Sequence, residues 1–236
     1  MKSRIVIFLP TYNERENLPA VVERLLDNEP DRGVLVVDDQ SPDGTGQIAD
    51  QLAQRYAGRM EVIHRGPPRG RGWAGIVGLR EAAQRAEEYV VEMDADLSHD
   101  PAQLPELLAA VQNADVVIGS RYVDGGGAEN FGWARHLNSA VARWLTWLFL
   151  GLRFTDPTSG YRVYRKAWLE PLPWDAMISP GPSIVEETLY HLVQRGARVI
   201  EAPIVYRERG AGQSKITPGI ILRWILTMIR IRRTAS

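Results

Sequence analysis

The sequence has no cysteine. That excludes a disulfide scaffold, thiolate metal sites and a cysteine nucleophile, and it assigns no compartment. The sequence also lacks any run of about 18 or more apolar residues, so no membrane-spanning helix is expected. The apolar stretch near the start, Ile5 to Leu9, is too short for the core of a secretory leader and stops at Pro10. An excess of one charge is missing as well: 28 Lys and Arg face 29 Asp and Glu. With 44% hydrophobic and 24% charged residues, composition excludes wholesale disorder, collagen and coiled coil.

What is present suits one large domain or two small ones. A chain of 236 residues can bury roughly 70% of its unfolded surface without staples. The balanced charge is unevenly spread. Residues 206–236 carry seven Lys or Arg and one Glu, a net of +6, which leaves −7 for the rest. A basic tail on an acidic body points to an anionic partner at that end.

In the first half, apolar runs alternate with helical patterns. Strands are expected at Arg4–Leu9, Val34–Asp38, Met60–His64, Tyr89–Asp94 and Asp115–Gly119. Leu18, Val21, Val22, Leu25 and Leu26 share one helix face, and Gln47–Tyr56, Ala74–Glu87 and Pro101–Val111 give three further helices. Short strands separated by helices read as β-α-β units, hence an α/β fold with a mainly parallel sheet and helices on both faces. After a loop at Gly125-Gly126-Gly127 the character changes: six of the seven Trp lie beyond residue 130. Two apolar segments stand out there, Leu137–Phe154 and Pro218–Ile231. Neither is long enough to build a second core, so residues 1–217 read as one domain and 218–236 as a basic amphipathic C-terminal helix.

In an open α/β sheet, ligands bind at the carboxyl ends of the strands. Here four such ends are polar: Pro10-Thr11-Tyr12-Asn13-Glu14, Asp38 to Thr45, Asp94 to His99, and Gly119-Ser120-Arg121-Tyr122. Taken singly, each could merely cap the next helix. Asp94-Ala95-Asp96 is the sharpest, because two carboxylates one residue apart can converge on a hard cation that substrate phosphates complete. The bland alternative is that one of them caps the helix near Pro101. Gly70-x-Gly72-x-x-Gly75 imitates a dinucleotide fingerprint, with Asp94 at a suitable distance. It does not directly follow a strand, however, and Pro67-Pro68 spoils the tight turn. A packing role for these glycines fits better, with Arg69 and Arg71 facing anions.

Pro-Thr-Tyr-Asn-Glu (10–14), Val-Asp-Asp-x-Ser-x-Asp-Gly-Thr (37–45), Asp-Ala-Asp-Leu-Ser-His (94–99), Gly-Ser-Arg-Tyr (119–122), Asp-x-Thr-Ser-Gly-Tyr-Arg (156–162) and Arg-x-x-Gly-x-Ser-Lys (209–215) occur in this order. As a set they resemble the dolichyl-phosphate or polyprenyl-phosphate mannose synthases, glycosyltransferase family 2 enzymes of GT-A (Rossmann-like) fold. The resemblance implies that Pro10, Tyr12, Glu14, Val37, Asp39, Asp94, Ala95, Asp96, Arg209 and Lys215 hold the donor. It implies that Arg121, Arg135 and Ser139 receive the acceptor phosphate, with Asp94, Asp96 and Arg121 as the catalytic set. Asp96 and Asp94 would bind Mg²⁺ or Mn²⁺. Ser98, which stands where some members carry a metal-binding Gln, could add a hydroxyl or a water-mediated contact. Where many members have Phe-Gln-x-Glu, this chain has Ile184-Val185-Glu186-Glu187.

The implied activity is inverting transfer of mannose from GDP-mannose to a polyprenyl phosphate. A phosphate monoester is already anionic at neutral pH, so the reaction requires no base, and His99 and His136 read as structural or loop residues. Residue chemistry alone fixes neither sugar nor base, which leaves UDP-glucose or another sugar nucleotide open as donor. A non-catalytic nucleotide-sugar or lipid-phosphate binding protein and a nicotinamide enzyme are the rivals of other classes. Pro218–Ile231 spans only some 20 Å as a helix, short of the hydrocarbon core, so it reads as interfacial, with Trp224 and the terminal arginines on the lipid. The expected location is thus peripheral, on the cytoplasmic face of a membrane. The expected partners are GDP-mannose, the lipid phosphate and the membrane surface, with no nucleic acid and with room for a membrane-anchoring protein.

Overall fold

The computed structural model describes residues 3–129, 131–207 and 218–234, without the side chains of 134, 135, 218–223 and 234. Its strands are β1 (Ser3–Thr11), β2 (Arg32–Asp38), β3 (Met60–His64), β4 (Ala86–Glu92), β5 (Val116–Ser120), β6 (Gly127–Glu129), β7 (Arg162–Arg165), β8 (Val199–Pro203) and β9 (Val205–Arg207). Its helices are α1 (Leu18–Leu26), α2 (Thr45–Arg55), α3 (Arg71–Arg85), α4 (Leu104–Ala110), α5 (Trp133–Leu150), α6 (Lys166–Leu169), α7 (Ile184–Gln194) and α8 (Pro218–Thr234). Seven strands form one sheet in the order β3-β2-β1-β4-β7-β5-β8, and β6 pairs with β9 in a separate parallel ribbon.

All five expected strands form, and their pairings with one another are parallel. The inserted strand is β7, which runs antiparallel between β4 and β5. Alternate residues of the strands feed opposite layers, as the two-residue side-chain period requires. Ile7, Leu9, Val34 and Val36 join α1, α2 and α4 on one face. Val6, Phe8, Leu35 and Val37 join α3, α6 and α7 on the other. The sequence reverses direction of growth between β1 and β4, and the ends of β1, β2 and β4 therefore surround one crevice, where ligands bind in open α/β sheets.

Helix α3 starts at Arg71, three residues before the expected Ala74, and its glycines are packing devices. A Cβ at Gly72 would strike the Ser179 carbonyl, and one at Gly78 would strike the Phe8 ring. The Gly72 N–H donates to the Pro180 carbonyl at 3.2 Å. The helix start is thus roofed by protein, which removes the space a dinucleotide pyrophosphate would need and disposes of the fingerprint reading.

Helix α8 corrects another expectation. Trp224, Met228 and Ile231, spaced for one helix face, turn toward Leu150 and Leu152, and Trp224 lies close enough to the buried Glu186 to favour its carboxylate form. Trp224 is therefore a tether to the core and not a lipid contact. What α8 leaves outside are Leu226 and the exposed Arg230, Arg232 and Arg233, with Arg232 donating to the Phe149 carbonyl at 3.2 Å. No helix among the described residues is long and apolar enough to cross a membrane.

Candidate active site

A cavity of about 390 Å³ opens at the ends of β1 and β2, lined by Pro10, Thr11, Tyr12, Asp39, Arg69, Gly70, Arg71 and Ala74. Three expected donor residues, Pro10, Tyr12 and Asp39, thus meet there, beside the two arginines read as facing anions. Tyr12 is half exposed at the mouth. Asp39 is buried, and both its oxygens are held: Arg65 Nη1 donates to one and the Gly70 N–H to the other, each at 2.6 Å. Its neighbour Asp38 orders the following turn by accepting from the Ser41 hydroxyl at 2.5 Å and the Ser41 N–H at 3.2 Å. Two expected donor residues behave differently. The Val37 side chain lies wholly in the core beneath the cavity. Glu14 ties α1 to the 41–45 turn: its N–H donates to Thr45 Oγ1 at 2.9 Å, and its carboxylate accepts from Asn17 Nδ2 at 3.0 Å.

β4 ends at Glu92, so Asp94 and Asp96 stand on the loop beyond it, each half-buried, with Ala95 buried between them. The helix near Pro101 is capped by Asp100, which accepts from the Ala102 N–H at 3.0 Å, and this leaves the Asp94-Asp96 pair out of any capping role. The loop is braced from within. Leu97 adopts φ +64°, a left-handed conformation that is costly for a branched side chain. Both the N–H (3.0 Å) and the hydroxyl of Ser98 donate to Asp96 Oδ1, so Ser98 orients Asp96. His99 Nδ1 accepts from the Asp94 N–H at 3.0 Å, and its ring stacks on Tyr161 at 5.1 Å. Burial pushes the His99 pKa down, Arg121 and Arg71 add to that, and Asp94 opposes it. The imidazole is therefore neutral and accepts at Nδ1.

Arg71 reaches the same loop from the start of α3. It donates to the buried Glu92 at 2.8 Å and lies 3.6 Å from Asp94 Oδ1. Burial works against its charge, but Glu92 and then Asp94 outweigh that and raise its pKa. Glu92 also accepts from the Tyr164 hydroxyl at 2.9 Å.

From this loop a line of rings leads to the second half of the site. His99 meets Tyr206 edge-on at 5.5 Å, and the Arg121 guanidinium lies 5.4 Å from the Tyr206 ring. Arg121 is gripped by Asp156: Nε and Nη2 each donate at 2.7 Å, and its backbone N–H donates at 3.1 Å. Asp156 is buried and held in turn by Glu201, which accepts from its N–H and from the Thr155 N–H and hydroxyl, all at 2.8 Å. Arg121 also faces the rings of Tyr122 and Phe131 at 5.3 and 5.6 Å. Burial lowers its pKa, and its hydrogen bonds to the Asp156 carboxylate, with that group's charge, more than reverse this. Ser139 sits part-buried on α5, one turn beyond Arg135, whose side chain is outside the described set. Arg209 and Lys215 lie outside the described residues.

Sequence reasoning passed over Asp156, Glu201, Glu92 and Tyr206. Asp156 could have been found, since it opens the 156–162 motif. The other three stand in ordinary strand patterns, and only the fold brings them to the site.

Comparison with known proteins gives this geometry a family. The model of glycosyl transferase family 2 matches residues 6–172. An undecaprenyl-phosphate mannosyltransferase of Micrococcus luteus is 42% identical over 227 residues, covering 96% of this chain and 93% of the relative. A polyprenol monophosphomannose synthase of Mycolicibacterium smegmatis is 42% identical over 215 residues, 91% of this chain and 81% of the relative. The fold is that of glucosyl-3-phosphoglycerate synthase from Mycobacterium tuberculosis. Its phosphoglyceric acid complex aligns with a TM-score of 0.70 at 21% identity, covering 97% of this chain and 80% of that one. Its complex with Mn²⁺, uridine diphosphate and phosphoglyceric acid aligns at 0.69 and 20% identity, covering 97% and 78%. The chain is an α/β protein of GT-A-like fold and belongs to glycosyl transferase family 2.

Proposed function

We propose that this chain transfers mannose from GDP-mannose to a polyprenyl phosphate, inverting the anomeric centre. The observation that carries the reading is the unbroken line from the Asp94-Asp96 loop through His99 and Tyr206 to the Arg121–Asp156 pair. It joins a site suited to a metal-bound diphosphate to a site suited to a phosphate monoester, and the two polyprenyl-phosphate relatives support that pairing of substrates.

Each residue then has a task. The cavity beside Tyr12 and Asp39 takes the nucleotide, with Arg69 and Arg71 toward its phosphates. Asp94 and Asp96 fit Mg²⁺ or Mn²⁺ as hard oxygen donors on the loop after β4, and would hold such a cation together with substrate phosphate. Among the described residues no group of three or more carboxylate or imidazole side chains is placed to hold a metal ion, so substrate would have to complete the site. When bound, the metal neutralises the leaving diphosphate. Arg121 holds the acceptor phosphate, fixed by Asp156 so that its approach is directed. An acceptor phosphate oxygen bonds to the anomeric carbon as the bond from that carbon to the diphosphate oxygen breaks, and GDP leaves with the electron pair. A single displacement inverts the carbon. The nucleophile needs no deprotonation, and the neutral, buried His99 serves to hold the Asp94 main chain.

The chain meets its lipid at a membrane surface, on the side that supplies the nucleotide sugar. Eight large apolar side chains are exposed among the described residues, six on α5 and one on α8. Trp133, Leu137, Val141, Trp144 and Leu148 form one stripe along α5, and neither helix carries an acidic residue. Such a face suits an anionic interface.

The test is a panel of nucleotide sugars with one polyprenyl phosphate and the purified full-length chain. GDP-mannose is expected to give the fastest formation of lipid-linked sugar. Faster transfer from UDP-glucose would replace the donor, and tight nucleotide-sugar binding with no turnover on any donor would make the chain a binding protein.

A further inference from the structure

Residues 204–207 form a short bridge between the two ends of the site. At its start the Ile204 N–H donates to the Ser120 carbonyl at 3.0 Å, next to Arg121. At its finish the Arg207 N–H donates to the Ser98 carbonyl at 3.2 Å, inside the loop that holds Asp94 and Asp96. Three steps of extended chain between them span about 10 Å. The bridge contains β9, which pairs with β6 in a ribbon separate from the seven-stranded sheet. A ribbon of two three-residue strands has little stability of its own, so its place depends on bonds from other elements. Gln103 supplies them at the middle. It ends the 3-10 turn Pro101–Gln103, just beyond the aspartate loop, and its part-buried side chain imitates a neighbouring strand. Nε2 donates to the Val205 carbonyl at 3.0 Å, and Oε1 accepts from the Val205 N–H at 2.6 Å. In an extended chain, alternate residues turn their backbone polar groups to the same edge, so Val205 and Arg207 both present theirs to the 98–103 segment. The Arg207 side chain also lies 3.5 Å from Asp100 and 3.1 Å from Glu129, but it is exposed, and such ion pairs hold a strand only weakly.

We propose that Gln103 is a positioning residue for the transfer: by fixing Val205 it sets the Tyr206 ring between His99 and Arg121, and with it the spacing of the Asp94-Asp96 loop from Arg121. The inference rests on the reading of the reaction given above and adds to it a residue outside the cavity lining. The Tyr206 ring carries the link. Its centre lies 5.5 Å from the His99 ring, 5.5 Å from the Phe131 ring and 5.4 Å from the Arg121 guanidinium. Both ring pairs are edge-on, and ring and cation contacts of this kind depend on distance and angle. A small shift of β9 is therefore felt at both ends. His99 passes it to the Asp94 main chain, whose N–H it accepts at 3.0 Å. If Gln103 only closed a strand edge, its loss would lower stability without singling out the transfer step.

The experiment measures single-turnover transfer from GDP-mannose to a short, water-soluble prenyl phosphate by the full-length chain with Mn²⁺, together with GDP affinity and melting curves. The variants are Gln103→Met, which keeps the side-chain length without its hydrogen bonds, Tyr206→Leu, Tyr206→Phe, and Gln103→Met combined with Tyr206→Leu. Gln103→Met and Tyr206→Leu are each expected to slow transfer about ten- to a hundredfold. GDP affinity and the half-saturating concentration of prenyl phosphate should stay close to wild type. Tyr206→Phe should lose less than Tyr206→Leu, because the ring makes the contacts. The double variant should be no slower than the slower single variant, since both act through one ring. A wild-type rate in either Gln103→Met or Tyr206→Leu, or losses that multiply in the double variant, would overturn the proposal. A fall in GDP affinity as large as the fall in rate would also overturn it, and would make Gln103 a support of the whole site. Absence of wild-type transfer from any nucleotide sugar would remove the reaction itself, and the positioning role with it.

Discussion

The two ends of the site are built on opposite terms. At the donor end, polar groups are buried or half-buried and already paired. Asp39 is held by Arg65 and Gly70, Asp96 by Ser98, the Asp94 main chain by His99, and Arg71 by Glu92. At the acceptor end only Arg121 is fixed so firmly, and the helix beyond it shows tryptophan and leucine to solvent. The contrast follows from the substrates proposed. A charged, water-soluble donor needs preorganised dipoles that do not have to rearrange during reaction. A lipid acceptor needs apolar surface, and a contiguous exposed patch marks where such a partner is met.

The sharpest way to break the comparison is at the donor loop. Asp96→Ala should lower turnover by about a hundred- to a thousandfold while circular dichroism and melting stay near wild type, because Asp96 is part-exposed and its removal leaves the small hydroxyl of Ser98 unpaired. Near-normal turnover that survives a chelator would remove the metal from the account. Asp156→Ala strikes the fixed part of the acceptor end. It strands a mostly buried guanidinium and should cost about 3–5 kcal/mol of stability, read as a lower urea midpoint; an unchanged midpoint would show that Arg121 is not held as described.

Glu186 sharpens the boundary between the two ends, because it is buried on α7 near Trp224 of α8. Burial pushes its carboxyl up to about 7, against opposing contributions from its own backbone N–H, Arg162 and Trp224. Its folded pKa lies above its unfolded value, so the folded state binds the extra proton between the two. Stability should therefore fall as pH rises from about 4.5 to 7 and then level off, by up to about 3 kcal/mol. Glu186→Gln should raise the melting temperature at pH 8 and match wild type near pH 4.5. The same gap at both pH values would disprove the raised pKa. The smallest effect is expected on α5, the helix proposed to meet the membrane. Trp133→Ser with Leu137→Ser should weaken binding to anionic vesicles several-fold, at roughly 25 cal/mol per Å² of apolar surface lost, with turnover on a short prenyl phosphate preserved. Unchanged vesicle binding would move the membrane contact away from α5.

The two ends also differed in how well they could be read in advance. β1, β2 and β5 were legible because each is a short apolar run buried on both faces, a pattern that needs no partner to be recognised, whereas β8, parallel to β5 but half-buried at the sheet edge, was passed over. β7 escaped because its sequence is Arg-Val-Tyr-Arg. Arg162 looks like a surface residue, yet it is fully buried and donates to the carbonyls of Pro157, Ser159 and Val185. The pair Asp94 and Asp96 could be picked out from adjacency alone, and the structure sets both on the loop that follows β4. The grip of Asp156 on Arg121, 35 residues away, and of Glu92 on Arg71, 21 away, was not legible, since local pattern carries no information about such pairings. For α8 the period correctly grouped Trp224, Met228 and Ile231. It could not say whether that face met lipid or protein, and the structure turns it to protein.

The central claim is a single displacement at the anomeric carbon of an activated mannose by a lipid phosphate. The anomeric configuration of the lipid-linked mannose made from GDP-mannose, whose sugar is α-linked, measures it most directly, by nuclear magnetic resonance of product released by the purified full-length chain. The account predicts the β-linked mannosyl phosphate alone. Formation of the α-linked product, or of no lipid-linked mannose while free mannose accumulates, would contradict it.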